Sequence, residues 1–203
     1  MYLTRIEMDL SDSLVRAALT DRQKMHRLLT GCFQNQRSNA DILFCSRIKG
    51  LVVEVYLYSS IPVIRKCIPS GIRLAAERDV TFWLDSLKTG MHLSFQIETA
   101  PFKKVAEEGI KNSRRRAIVD PEERISWLER KAQQSGFVIC TLLESKAERI
   151  VVNHSPDKGG RFFVDTFKYT GTLQITDGDS FQNTVKNGLG PGKAYGLGML
   201  LLA

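Results

Sequence analysis

Alternating and helically spaced apolar positions divide the chain into elements. In residues 1–9, Leu3, Ile6 and Met8 interleave imperfectly with Tyr2, Arg5, Glu7 and Asp9, which predicts a strand ending in a loop at Ser11-Asp12-Ser13. From Thr20 the period changes: Met25, Leu28, Leu29, Cys32 and Phe33 fall at i, i+3, i+4, i+7 and i+8, one stripe of a helix. Thr20 and Asp21 supply oxygens suited to cap its first turn. After the polar stretch 34–41, two runs rich in β-formers, 42–48 and 51–59, are separated only by Lys49-Gly50, a β-hairpin signal. Pro62 and Pro69 interrupt residues 60–90, where 72–88 has room for a short helix and a strand.

A second cycle opens near Met91. Residues 92–99 read as a strand, followed by a basic stretch from Lys103 to Arg116. Asp120-Pro121-Glu122-Glu123 is a helix start, with proline in the first turn and acids at the positive end of the dipole, and Ile125, Leu128 and Ala132 share the following helix's face. Strands are predicted at 137–145 and 162–176, a short helix at 177–187 and a terminal apolar strand at 194–202. Both halves follow a β-α-β-β-α-β order, the second helix of the first half being the least defined. The expected fold is α+β, two tandem ferredoxin-like (RRM-like) domains spanning 1–89 and 90–203.

Composition narrows the function classes. The 203 residues carry 29 Lys+Arg against 22 Asp+Glu, a formal charge of +7, with 43% hydrophobic and 25% charged residues, which excludes wholesale disorder and favours anionic partners. No apolar run approaches the roughly 20 residues of a membrane span, and Arg5, Glu7 and Asp9 interrupt the place where an export signal needs its apolar core. A soluble, unexported cytoplasmic protein is expected. Cys32, Cys45, Cys67 and Cys140 form no C-x-x-C pair, and His26, His92 and His154 are equally scattered, so neither a metal site nor a redox dithiol is expected.

Gly188-Leu-Gly-Pro-Gly-Lys-Ala-Tyr-Gly-Leu-Gly198 holds five of the fifteen glycines around Lys193. Such backbone approaches a phosphate closely. A Walker loop would need Ser or Thr after the lysine and a strand-loop-helix order; here Ala194 follows Lys193, and the segment runs from a predicted helix into a predicted strand. A ligand-free turn and a nucleotide-phosphate site both remain open from these residues alone.

The glycine-rich segment, continuing into Met199 and Leu200, together with the opening MYLTRIEMDL, resembles the CasE family, the CRISPR RNA endonucleases of the type I-E Cascade complex. MHLSFQIETAPFKK and PEERISWLERKAQQSGF are similar to the start and first helix of that family's second domain, so the resemblance spans nearly the whole chain. It implies cleavage of a CRISPR repeat hairpin at its base without metal or other cofactor. The 2′-hydroxyl attacks to leave a cyclic phosphate and a 5′-hydroxyl, and the protein stays with the mature RNA beside other Cascade subunits, away from any membrane. It also implies that His26, at the position of the family's first-helix histidine, is the general acid or base. Imidazole suits that task, since its ordinary pKa near 6.5 lets it take and give a proton at neutral pH. Where the family often has a tyrosine three residues earlier, this chain has Gln23, which cannot exchange a proton.

Lys193, Arg22 and Arg27 are the candidates for offsetting phosphorane charge, Lys193 first among them. Lys103, Lys104, Lys111, Arg114, Arg115 and Arg116 read either as a solvated face or, in an RNA-binding chain, as a groove for the phosphates of a stem. Lys158 and Arg161, in the hairpin loop expected at 154–161, and Gly190, Gly192, Gly196 and Gly198 complete the candidate RNA contacts. The alternative from another class is a non-catalytic double RRM-like RNA-binding protein in which His26 is incidental.

Overall fold

The computed structural model describes residues 1–33, 40–105, 114–153 and 160–203. Strand β1 (Tyr2–Asp9) is the second-from-edge strand of a four-stranded antiparallel sheet ordered β2-β3-β1-β4, with β2 at Leu43–Lys49, β3 at Val52–Ser59 and β4 at Ile72–Asp79. The predicted β2–β3 hairpin is present, turning at Gly50, whose φ of 61° suits a residue without Cβ. β1 ends in the expected turn at Ser11-Asp12, but a helix the pattern does not predict follows at once: Asp12 caps α1 (Ser13–Leu19), its carboxylate accepting from Leu14 N–H at 2.7 Å. Helix α2 (Arg22–Gly31) follows, and Met25, Leu29, Cys32 and Phe33 are buried as their spacing requires, against Ile6, Met8, Val53 and Val55 of the sheet.

Between β3 and β4 the second helix of the first half is reduced to a single 3-10 turn at Arg65–Cys67, because Pro62 and Pro69 bracket a segment too short for an amphipathic helix. Within 72–88 the strand β4 precedes the short helix α3 (Thr81–Asp85).

The second sheet is ordered β10-β5-β9-β8, formed by β5 (His92–Thr99), β8 (Phe137–Asn153), β9 (Arg161–Ile175) and β10 (Leu201–Leu202). Helices α4 (Pro121–Gln134) and α5 (Gly178–Asn187) cover one face, burying Trp127, Leu128, Phe181 and Val185. Both sheets thus have the 4-1-3-2 strand order of a ferredoxin-like unit. β8 continues eight residues past the predicted end, the register shifting between Lys146 and Arg149. The basic stretch is itself a hairpin insertion, β6 (Phe102–Val105) paired with β7 (Arg114–Ala117).

The terminal strand expected at 194–202 is only two residues long. Residues 188–198 instead make a compact turn with a 3-10 segment at Lys193–Tyr195 between Gly192 and Gly196, both left-handed. Gly198 closes it: its N–H donates to the Glu98 carbonyl at 2.8 Å and its carbonyl accepts from Leu189 N–H at 2.8 Å. Leu43 and Tyr58 of the first sheet share a core with Trp127, Tyr169, Met199 and Leu200, so the two halves pack through apolar contact. Among the described residues no helix is long and apolar enough to cross a membrane.

A Cβ on Gly198 would lie 2.3 Å from the Leu189 carbonyl oxygen, and φ there is +80°. Gly198→Ala is therefore expected to destabilise the chain by more than about 2 kcal/mol, read as a lower urea midpoint at unchanged slope.

Candidate active site

Helix α2 carries the candidate proton-transfer group and is fixed at its start by a buried cap. Asp21, 3% exposed, accepts from Gln23 N–H at 2.9 Å and from Asn153 N–H, at the end of β8, at 3.3 Å. Burial alone would raise its pKa, but bonds from the Asn153 side chain, the Gln23 amide and the Asn153 amide outweigh that and hold the carboxyl below its ordinary 3.8. One turn on, His26 lies at the flank of the buried stripe, partly covered, and desolvation moves its pKa below 6.5. At neutral pH the imidazole is mainly neutral.

The turn at Lys193–Tyr195 packs on α2 and on β2. It places Lys193 on the wall of a groove of about 390 Å³ that His26 and Thr30 line from α2, Asp41, Ile42 and Leu43 from the entry to β2, and Lys186 and Asn187 from the end of α5. The two predicted catalytic residues, 167 positions apart by number (193 − 26), therefore face one space. Lys186, Asn187, Thr30 and Asp41 were not singled out by the sequence. Lys186 and Asn187 read only as the end of a short helix, and Asp41 as the end of a polar stretch. Asp41 is the one non-glycine residue with positive φ (43°) among those described.

The other candidates scatter. Arg22 is tied to the Ser46 hydroxyl of β2 at 2.8 Å, while Arg27 lines a separate depression with Leu14, Lys24 and Leu28, outside the His26 groove. Gly190, Gly192, Gly196 and Gly198 sit against protein: a Cβ on Gly196 would come within 2.7 Å of the Phe44 ring, and Gly190 faces Trp127.

The basic hairpin forms its own patch. Lys103 pairs with Arg116, Lys104 with Arg115 and Val105 with Arg114 across β6–β7. Like charges directly opposite repel, and this short ladder concentrates positive charge on one ribbon. Lys103 is partly neutralised by Glu123 at 2.8 Å, and the Arg115 guanidinium lies 4.9 Å from the Phe102 ring centroid. Arg161 opens β9 and lies over Phe163 at 5.1 Å. Lys111, Lys158 and His154 fall outside the described residues, as does the side chain of Arg114. Among the described residues no three His, Cys, Asp or Glu side chains gather as a metal site.

The model of the family described as CRISPR associated protein matches residues 1–203. The chain is 29% identical over 127 residues to the CRISPR-associated endoribonuclease Cse3 of Thermus thermophilus; that match spans 58% of each chain. It is 25% identical over 213 residues to the CRISPR system Cascade subunit CasE of Escherichia coli K12, covering 100% of this chain and 99% of the relative. The same fold is found in a CRISPR endoribonuclease Cse3 bound to a 19-nucleotide RNA, with a TM-score of 0.87 at 23% identity and full coverage of both chains. It recurs in Cas6e from E. coli K-12, with a TM-score of 0.77 at 23% identity over 100% of this chain and 99% of that one.

Because Asp21 is held below its ordinary 3.8, its contribution to stability is complete above that value and lost as pH falls through its folded value. Asp21→Ala should cost about 0.5–2 kcal/mol at pH 7, measured by urea unfolding. The gap to the parent chain should narrow on acidification below pH 3.8; a gap that stays constant there would contradict the assignment.

Proposed function

Because the chain belongs to the CRISPR-associated protein family, we propose that it is a metal-independent endoribonuclease acting in the cytoplasm. It binds a CRISPR repeat hairpin, cuts at the base of the stem and stays with the product as a Cascade subunit. The observation that carries this reading is the convergence of His26 and Lys193 on one groove, in a chain similar to proteins named as CRISPR endoribonucleases. The division into units of 1–89 and 90–203 belongs to the same proposal. It is supported by the strand pairing, in which no ladder among the described residues joins β1–β4 to β5–β10.

In the proposed step the 2′-oxygen forms a bond to phosphorus and the bond to the 5′-oxygen breaks, leaving a 2′,3′-cyclic phosphate and, after protonation, a 5′-hydroxyl. The desolvated, mainly neutral His26 takes the 2′-hydroxyl proton as general base. The ammonium groups of Lys193 and Lys186 stand at the groove to offset the extra negative charge of the phosphorane. Gln23 contributes no proton, so the second transfer, to the 5′-oxygen, falls to solvent or to one of these lysines. The stem is gripped elsewhere: A-form RNA presents shape and phosphates rather than readable major-groove edges, and the cations of β6–β7 supply the matching charge.

His26→Ala should lower the single-turnover cleavage rate by about 100-fold or more with hairpin affinity unchanged, while the parent chain keeps cutting in excess EDTA. The logarithm of kcat/KM should rise with pH and level off above a midpoint below 6.5, since a base works deprotonated and burial lowers this one. A rate that falls across that range would instead make His26 the acid.

Replacing Arg115 and Arg116 by Gln should weaken binding of hairpins of different sequence alike. The slope of log K against log salt should become shallower by roughly 0.7–0.9 for each phosphate no longer neutralised. Unaltered affinity and slope would reduce the hairpin to a solvated face.

A further inference from the structure

A second concavity, separate from the His26 groove, is also lined by the glycine-rich turn. Ladder pairing between β5 and β9 ends at Thr99 and Phe167, and β9 runs on to Arg161 paired, among the described residues, with β8 alone. The space beside that edge is closed by the base of the β6–β7 hairpin and by Pro191, Gly192 and Tyr195, leaving a pocket of about 420 Å³. Its walls are unusually aromatic. Phe162 meets Tyr195 edge to face at 6.2 Å, Phe102 lines the same space, and Phe163 remains 56% exposed.

Cations surround these rings. Arg115 lies over Phe102 and Arg161 over Phe163, and Arg116 reaches the same pocket. One acid, Asp165, also faces it, already bridged to Arg149 at 2.8 and 3.0 Å. Flat π-faces that accept any base, beside guanidinium groups that take its phosphate, are the two components of single-stranded RNA recognition. A paired stem cannot use them, because its bases are already stacked. Pro191, Gly192 and Tyr195 line this pocket and Lys193 the His26 groove, so a strand leaving the groove meets the aromatic walls after crossing a single turn of protein.

We propose that this pocket holds an unpaired nucleotide from the flank adjoining the repeat stem, its base stacked on Phe163 and its phosphates met by Arg115 and Arg161. The proposal rests on the RNA-binding reading above and adds a subsite that reads the flank rather than the stem. The pocket would thereby set which phosphodiester lies beside His26, since a captured flanking base fixes the path of the strand.

The test compares a hairpin ending flush at its base with the same hairpin extended by unpaired nucleotides on one side or the other, all carrying a 2′-deoxy residue at the scissile position to block cutting. Each is titrated against the parent chain, Phe163→Ala and Phe163→Trp, with melting curves to show that the variants are folded. One flank should tighten binding to the parent chain, Phe163→Ala should remove about 5- to 100-fold of that gain without changing affinity for the flush hairpin, and Phe163→Trp should keep it. An abasic site at the captured position should mimic Phe163→Ala and add nothing to it. If the flush hairpin binds but neither flank helps, or if Phe163→Ala weakens both RNAs equally, the pocket does not hold a base. If no hairpin binds at all, the RNA-binding reading fails first.

Discussion

Lys193 reaches a helix near the opposite end of the chain because residues 188–198 double back on themselves, closed by the bonds of Gly198 to Glu98 and Leu189. The turn is seated against both halves of the molecule. Gly196 lies under Phe44 of β2, Gly190 against Trp127 of α4, and the Glu98 carbonyl that receives the Gly198 amide belongs to β5. A side chain at Gly196 would have to displace a buried aromatic ring. The backbone that looks from sequence like a phosphate loop therefore positions Lys193 by packing on protein, and its lysine, rather than its amides, is what it offers to the groove.

Two kinds of electrostatics are kept apart in space. At β6–β7, cations oppose cations on a two-stranded ribbon that would be marginal alone; Arg115 on Phe102 ties its two strands together, and Lys103 with Glu123 of α4 holds it to the body. In the His26 groove the charges are fewer, two lysines and one aspartate, and the titrating group is desolvated. A phosphate placed in this groove would favour the imidazolium by direct attraction, so in the proposed reaction substrate binding and the protonation of His26 are linked whichever way the proton first moves.

Much of this was legible in the residues, and the misses have physical causes. The α2 stripe could be read because Met25, Leu29, Cys32 and Phe33 meet one sheet face and nothing competes with their period. The β2–β3 hairpin was equally clear, since Lys49-Gly50 leaves no other way to connect two β-rich runs. Helix α1 escaped notice because seven residues are too few for a periodic signal and its cap, Asp12, also looks like a turn residue. The terminal strand was overestimated because Leu197, Met199 and Leu200 are apolar for burial in a turn, not for pairing in a ladder. Asp41 and Lys186 entered the groove by tertiary packing alone, which no local pattern encodes. The role expected of His26 came from resemblance; the residues by themselves gave only a histidine beside a core stripe.

The cap of α2 connects these parts. An N-cap carboxylate ordinarily serves its own helix, yet Asp21 also accepts from Asn153, 132 residues away, and does so almost wholly buried, where an unmet bond is costly. Its start is thus fastened to the end of β8, whose partner β9 brings in Arg161, Phe162 and Phe163. The same helix bears on the Lys193 turn. His26 is consequently located by two attachments to the second half of the chain as well as by its own sheet. Any displacement of the β8–β9 end relative to the glycine-rich turn must either tilt α2 or break the Asp21 cap, so the geometry of the groove and that of the aromatic pocket cannot change independently.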